Sequence, residues 1–327
     1  MKLVTKLFII LDVIIVFCFL LVYGPISKAR VFWITTAMET GSHQYFAYIF
    51  YSKNTVNKVM IENKLEVINE ETDASSIKIG EVNTNYTSVY EKEILEHNDN
   101  DLYKLIEFKY GEFDCYLVAI YDPKRVEVAY SKNLGSGEVL SDIALRENAI
   151  VAINGGGYSW SNYKPLGLIV HDNKVIYSQS YSSYAGAAIT NDGVLLASSV
   201  SASEIKSKNI KEALSFGPAL IVNGKSAKIR GTGGSGMNPR TVIAQRKDGI
   251  ILFLVVNGYG KNLSWKGRGG VYYSDLITIL ERYGAYNAVN MDGGSSTTMV
   301  INNKLVNSPC EPQYKGQDYI KSAWILK

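Results

Sequence analysis

From about Leu105 onward the apolar residues come in short runs, each closed by Gly, Asn or Asp, and this limits the fold more than any other feature. The runs include Tyr116 to Tyr121 (YLVAIY), Val126 to Tyr130, Ala149 to Ile153, Leu166 to Val170, Leu220 to Val222 and Ile250 to Val256. Runs of that length with such punctuation read as strands. Asp122-Pro123 and Asn223-Gly224 supply turns of the hairpin kind. Helical periodicity is scarce. It appears at Ser141 to Glu147 and at Ser274 to Tyr283, where Leu276, Ile277 and Leu280 share a face, Ser274 is the expected N-cap and Gly284 the expected C-cap. Two helices cannot cross over between so many strands. The expectation is an α+β domain of mixed, largely antiparallel sheet with few helices.

The N-terminal third has a different texture. Leu7 to Tyr23 (LFIILDVIIVFCFLLVY) is a 17-residue apolar run with one charge, Asp12, preceded by Lys2 and Lys6. It reads as a single transmembrane helix in contact with a lipid bilayer. The leading lysines put the N-terminus in the cytoplasm and the main domain outside the cell membrane. A cleaved signal peptide and a buried core helix are the competing readings. Residues 24–104 are polar, with a short helix expected over Ser52 to Leu65 (Val56, Val59 and Met60 on one face), and read as a helical stalk. The organisation expected is thus a cytoplasmic tip (1–6), an anchor (7–23), a stalk (24–104) and an extracellular domain (105–327).

Composition removes several function classes. With 46% hydrophobic residues in 327 the chain is neither disordered nor fibrous. A net charge of +3 is too small to argue for nucleic acid. Three Cys exclude a disulfide scaffold, and Cys115 and Cys310 are open to being paired or free. Three His show no metal-binding spacing. Gly231 to Gly236 matches GxGxxG, but Pro239 follows and no helix opens there, so a dinucleotide site is not expected.

Five polar clusters at expected strand ends remain. Asn154-Gly155-Gly156-Gly157-Tyr158 follows a strand and lets the backbone approach a ligand. Gly217-Pro218-Ala219 precedes another. Asn238-Pro239-Arg240-Thr241 holds a guanidinium on a stiffened backbone, which suits a phosphate or carboxylate. Asn257-Gly258-Tyr259-Gly260 follows the most apolar strand, and Arg268 lies between glycines shortly after. Asn290-Met291-Asp292-Gly293-Gly294-Ser295-Ser296 is the strongest. A carboxylate at a strand end can be base, nucleophile or metal ligand, the two glycines permit close approach, and Ser295 and Ser296 can donate to phosphate or sugar oxygens.

Taken in order, NGGGY, GPALIVNG, NPRT, NGYG with GRGG, and GAYNAVNMDGGSS resemble the phosphodiester glycosidase family over residues 105–327, including bacterial relatives of the exopolysaccharide-biosynthesis type. Many of those relatives carry Phe at the place of Tyr158 and Gly at the place of Ser295. The resemblance implies a hydrolase that cleaves a sugar-1-phosphodiester in cell-surface glycan or exopolysaccharide. Asp292 would be nucleophile or base, Arg240 and Arg268 would bind phosphate, and Asn154, Tyr158 and Asn257 would orient sugar hydroxyls. Gly155, Gly156, Gly293 and Gly294 would let the backbone reach the glycan or sugar-phosphate partner. A divalent cation (Ca or Mg) on Asp292 would fit the same chemistry, although no full ligand set is visible. The alternative readings are a non-catalytic module that binds glycan or teichoic acid, and a component of a polysaccharide-assembly complex.

Overall fold

The computed structural model describes residues 2–24, 27–39, 44–80, 86–159, 161–180, 184–259, 269–310 and 313–327. The chain divides into two compact units, Met1–Leu65 with Ile229–Gly236, and Glu66–Lys228 with Met237–Lys327.

The first unit is helical. The apolar run lies within the helix Lys2–Tyr23. Yet among the described residues no helix is long and apolar enough to cross a membrane. The transmembrane helix expected at 7–23 is therefore corrected, and the bilayer contact assigned to it loses its support. The physical shortfall is visible in the run itself: 17 residues rise only about 25 Å against a hydrocarbon core of roughly 30 Å, with Asp12 inside. Three further helices, Ser27–Glu39, Tyr45–Phe50 and Lys53–Glu62, pack around Ile34, Ala47, Tyr51, Val56 and Val59. Ser52 caps the last of them by accepting from the Thr55 N–H at 3.2 Å.

The second unit is the α+β domain, and every strand pair described in it is antiparallel. Its largest sheet has seven strands in the order Lys225–Ser226, Ala219–Val222, Ala285–Asn290, Arg240–Arg246, Ile251–Val256, Phe113–Ile120 and Tyr103–Tyr110. A five-stranded sheet follows the order Lys304–Leu305, Met299–Ile301, Val151–Asn154, Ser322–Leu326 and Val126–Tyr130. A second five-stranded sheet runs Leu195–Leu196, Ala187–Thr190, Ile210–Leu214, Leu168–His171 and Lys174–Ser178. One core joins all three, with Ile153, Phe253, Val289, Met291 and Trp324 among its members. Asn223 and Gly224 both take positive φ (53° and 73°) and turn the Ala219–Val222 hairpin as expected.

Two helices of this unit fall at Leu140–Glu147 and Tyr273–Arg282, within a residue of expectation, and a third, not expected from the sequence, at Val89–Leu95. The N-cap of Tyr273–Arg282 is Tyr272 rather than Ser274. Asp275 explains the difference, because its carboxylate accepts from the Tyr272 N–H at 2.9 Å and closes the first turn one step earlier. Cys115 and Cys310 are both free and buried, and burial pushes the Cys115 thiol up to about 12.

Glu212 ties the two five-stranded sheets together. Its fully buried carboxylate accepts from the Val128 N–H at 3.0 Å and from the Asp172 N–H at 3.3 Å, and it faces His171 Nδ1 at 3.0 Å. That hydrogen bond raises the His171 imidazole above its ordinary 6.5, with burial opposing and the Glu212 charge assisting. A raised folded-state value means that protonated His171 stabilises the fold fully below about pH 6.5, and that the contribution fades as pH climbs through the folded value. The unfolding midpoint of His171→Gln is therefore expected to fall furthest below wild type near pH 5.5, with the gap narrowing by pH 8.5. A gap independent of pH in parallel thermal melts contradicts this.

Candidate active site

The antiparallel register brings three of the polar clusters to one edge of the seven-stranded sheet. Arg240 opens its strand opposite Val256, the last residue before Asn257, and Val242 pairs with Asn290, the last residue before Met291-Asp292. The start of the central strand therefore lies beside the ends of both neighbours. The ladder continues one step further, with the Met291 N–H donating to the Thr241 carbonyl at 2.8 Å.

The fourth cluster arrives from the five-stranded sheet through Asn154, which is fully buried at the end of Val151–Asn154. Its Nδ2 donates to the backbone carbonyl of Asp292 at 2.7 Å. Its Oδ1 accepts from the Thr241 hydroxyl at 2.7 Å and from the Thr298 N–H at 3.0 Å. The Asp292 N–H in turn donates to the Gly155 carbonyl at 3.0 Å. The Asp292 backbone is thus held from both sides by the first glycine cluster, while its carboxylate stays half-buried and accepts from the Gly293 N–H at 3.0 Å.

Glycine is required at two places next to this carboxylate. A Cβ on Gly293 would sit 2.7 Å from the Pro239 carbonyl oxygen, and one on Gly157 would sit 2.6 Å from the Phe216 ring and 3.5 Å from Asp292 Cγ. The same approach puts Gly293 against the Arg240 side chain, whose Cδ would be 3.9 Å from that Cβ. Arg240 is itself buried. Its Nε donates to the Val271 carbonyl at 3.2 Å and its guanidinium lies 4.3 Å from the Tyr273 ring centroid.

The remaining expected residues are placed as follows. Gly155 and Gly156 are fixed by Ser322, whose carbonyl and hydroxyl accept their N–H groups at 2.9 and 3.0 Å. Tyr158 follows in a hairpin that bridges to Pro165. Gly294 begins a 3₁₀ turn (Gly294–Ser296) at φ 64°. The Ser295 hydroxyl donates to Asp318 at 2.8 Å, and Ser296 is buried. The Asn257 carbonyl oxygen is taken up by Asn307 Nδ2 and the Ser308 N–H, each at 3.2 Å. Arg268 lies outside the described residues. Among the described residues no three His, Cys, Asp or Glu side chains gather to hold a metal ion.

Several participants were not singled out from the sequence. Thr241 and Asn290 sit inside quoted clusters but look like ordinary strand residues. Ser322, Asp318 and Lys321 come from the C-terminal strand and its approach, where the one signal is a lysine within the apolar run Ile320 to Leu326. Asn290 is buried, donates to the Gly217 carbonyl at 2.9 Å, and leaves its own Oδ1 without a hydrogen-bond partner.

Residues 147–327, which hold every candidate in this site, match the family model described as phosphodiester glycosidase. The chain belongs to the phosphodiester glycosidase family. A curated relative, the SPbeta prophage-derived uncharacterized protein YomE of Bacillus subtilis (strain 168), is 27% identical over 180 residues, covering 52% of this chain and 27% of that protein. The N-acetylglucosamine-1-phosphodiester alpha-N-acetylglucosaminidase of Mus musculus is 24% identical over 189 residues, covering 53% of this chain and 35% of that protein. The chain thus aligns with about a third or less of the length of these relatives. The catalytic domain of the zebrafish N-acetylglucosamine-1-phosphodiester alpha-N-acetylglucosaminidase, solved auto-inhibited by its pro-peptide, shares the fold. Its TM-score is 0.57 at 19% identity, over 70% of this chain and 85% of that one. The phosphodiester glycosidase fold here is therefore the arrangement that carries Asp292 and Arg240 to one sheet edge.

Replacing Asn154 tests how far that arrangement depends on one side chain. Asn154→Ala strips partners from the Asp292 carbonyl, the Thr298 N–H and the Thr241 hydroxyl, all in or near the core. The expected loss is about 3 kcal/mol or more of unfolding free energy in urea titration, at about 1–3 kcal/mol for each of the three buried groups left unsatisfied. A loss under about 0.5 kcal/mol, the level of an ordinary surface change, contradicts the role given to Asn154.

Proposed function

We propose that the chain hydrolyses a sugar-1-phosphodiester at the anomeric carbon. The observation that carries this reading is the half-buried Asp292 carboxylate, braced by Asn154 and Gly155, next to a turn that packs on the buried Arg240. Glycosidases acting on ordinary linkages need a second carboxyl to protonate the departing alkoxide. A phosphodiester leaves as an anion that is already stable, so its departure asks for a cation and oriented N–H groups more than for a proton. Asp292 works at the anomeric carbon, by attacking it or by taking a proton from the attacking water. In either course water's oxygen ends on the sugar, the bond from the anomeric carbon to the phosphate oxygen breaks, and the phosphate departs as a monoester. Arg240 offers the leaving phosphate a guanidinium whose direction is set by Val271 and Tyr273.

The substrate class we propose is a sugar-phosphate linkage in cell-surface glycan or exopolysaccharide. The half-buried Tyr158 and the exposed Tyr163, stacked at 6.4 Å in the segment that follows Gly157, supply an aromatic surface suited to a sugar ring.

The test is turnover of a panel of sugar-1-phosphodiesters in water enriched in oxygen-18. The label is expected in the released reducing sugar, and Asp292→Asn is expected to cut kcat by about 10³-fold or more without loss of fold. Arg240→Gln is expected to lower kcat by about 10²-fold, the scale of removing one charge-stabilising donor. Label in the phosphate, or near-normal turnover by Asp292→Asn, overturns the proposal.

A further inference from the structure

The segment Asp318–Ser322 touches both glycine-rich turns that frame Asp292. At one end Asp318, a buried carboxylate, accepts from the Ser295 hydroxyl at 2.8 Å and from the Tyr319 N–H at 2.8 Å. At the other end Ser322 holds Gly155 and Gly156. Between them lies Lys321, only 2% exposed, although its ammonium is a compact and strongly hydrated charge. A buried ammonium is destabilising unless carbonyls, rings or carboxylates replace its water. Here Lys321 Nζ donates to the Gly135 carbonyl at 2.9 Å and stands 5.0 Å from the centroid of the Tyr158 ring. Asp318 attracts it from the same segment, while burial draws its pKa below the ordinary lysine value. An apolar side chain of similar length would fill the same space at less cost in desolvation. What the cation adds is directional hold on two loops.

Tyr158 is the ring that this hold acts on. It follows Gly157, which packs against Asp292, and the Leu166 N–H returns to the Gly157 carbonyl at 3.0 Å to close the hairpin. We propose that Lys321 is a positioning residue of the Asp292 site: its buried ammonium, anchored on the Gly135 carbonyl, fixes the Tyr158 ring and with it the turn that packs on the Asp292 carboxyl. Lys321 is covered and does not itself reach the substrate. The role deepens the proposed hydrolase and rests on that reading for its kinetic consequence, but the placement of Lys321 stands apart from it.

Two measurements on the full chain separate the two. In a sample with lysine Cε carbons labelled with carbon-13, the Lys321 methylene protons are expected to show an upfield ring-current shift that collapses in Tyr158→Leu. A Lys321 signal at the ordinary lysine position, or one that Tyr158→Leu leaves unmoved, overturns the proposal whether or not the chain turns over any substrate. In kinetics with a phosphodiester that wild type cleaves, Lys321→Met is expected to lose about tenfold or more in kcat with KM within about twofold, the pattern of a misplaced reacting geometry. Lys321→Arg, which keeps a cation over the ring, is expected to recover most of the loss. Because Lys321 acts through Tyr158, the double variant Lys321→Met with Tyr158→Leu is expected to be no slower than Tyr158→Leu alone. Multiplying effects, or equal failure of the Arg and Met variants in folded protein, overturn it. Wild-type chain that cleaves nothing in the panel counts against the hydrolase, while the ring-current result still decides the position of Lys321.

Discussion

The carboxamide of Asn154 is the contact on which the site depends. It stands at the end of a strand of one sheet, makes two hydrogen bonds to groups at the edge of another, the Asp292 carbonyl and the Thr241 hydroxyl, and accepts a third from the Thr298 N–H of its own sheet. Buried amides of this kind cannot be left half-satisfied, so each of its partners is held to one geometry. One of those partners is the carbonyl of Asp292. The carboxylate is consequently presented from a fixed backbone, and the surrounding glycines remove the side chains that would otherwise cover it. Apolar packing below, through Ile153, Val289 and Met291, brings the two sheets together, but it does not determine which way the Asp292 peptide faces. The polar contact does.

Antiparallel pairing explains why the polar clusters can be far apart in sequence and still converge. Three adjacent strands alternate in direction, so one strand's beginning lies beside two strands' ends. Arg240 is placed by being first in its strand, and Asn257 and Asp292 by coming just after theirs. A parallel sheet would have placed Arg240 at the opposite edge. The same edge then demands close packing, which is why Gly293 passes over the Pro239 carbonyl with no room for a Cβ.

Most of the sheet was readable from the sequence because its strands are short, apolar and sharply punctuated. Two of the domain's helices, Leu140–Glu147 and Tyr273–Arg282, were readable to within a residue, since a single apolar stripe marks each, whereas the short helix Val89–Leu95 was not. The cap at Tyr272 was not, because a side chain three residues later supplies it. The N-terminal run was misread. Its hydrophobicity suggested a bilayer span, whereas among the described residues no helix is both long and apolar enough to cross a membrane. Within the site, glycine and charge left clear traces at Asn154, Asp292 and Arg240. Lys321 and Ser322 left almost none. Their positions follow from pairing of the Ser322–Leu326 strand with Val151–Asn154, a contact between the last part of the domain and its middle. No local pattern encodes such a pairing.

The chemistry of a phosphodiester makes the sparse site intelligible. Where the departing group is an alkoxide, a protein must deliver a proton as it leaves, and a second carboxyl is needed at a set distance. Where it is a phosphate, the negative charge is already spread over oxygens, and stabilisation comes from fixed donors and a cation that need no rearrangement during the reaction. On the proposed reading Arg240 would meet that requirement, because it is oriented by the Val271 carbonyl on one side and the Tyr273 ring on the other. A solvent-exposed arginine would have to lose its freedom on binding, at a cost of about 2 kcal/mol of rotamer entropy. Burial has settled that ordering during folding, so the guanidinium already faces a set direction at the edge of the sheet where Asp292 is presented.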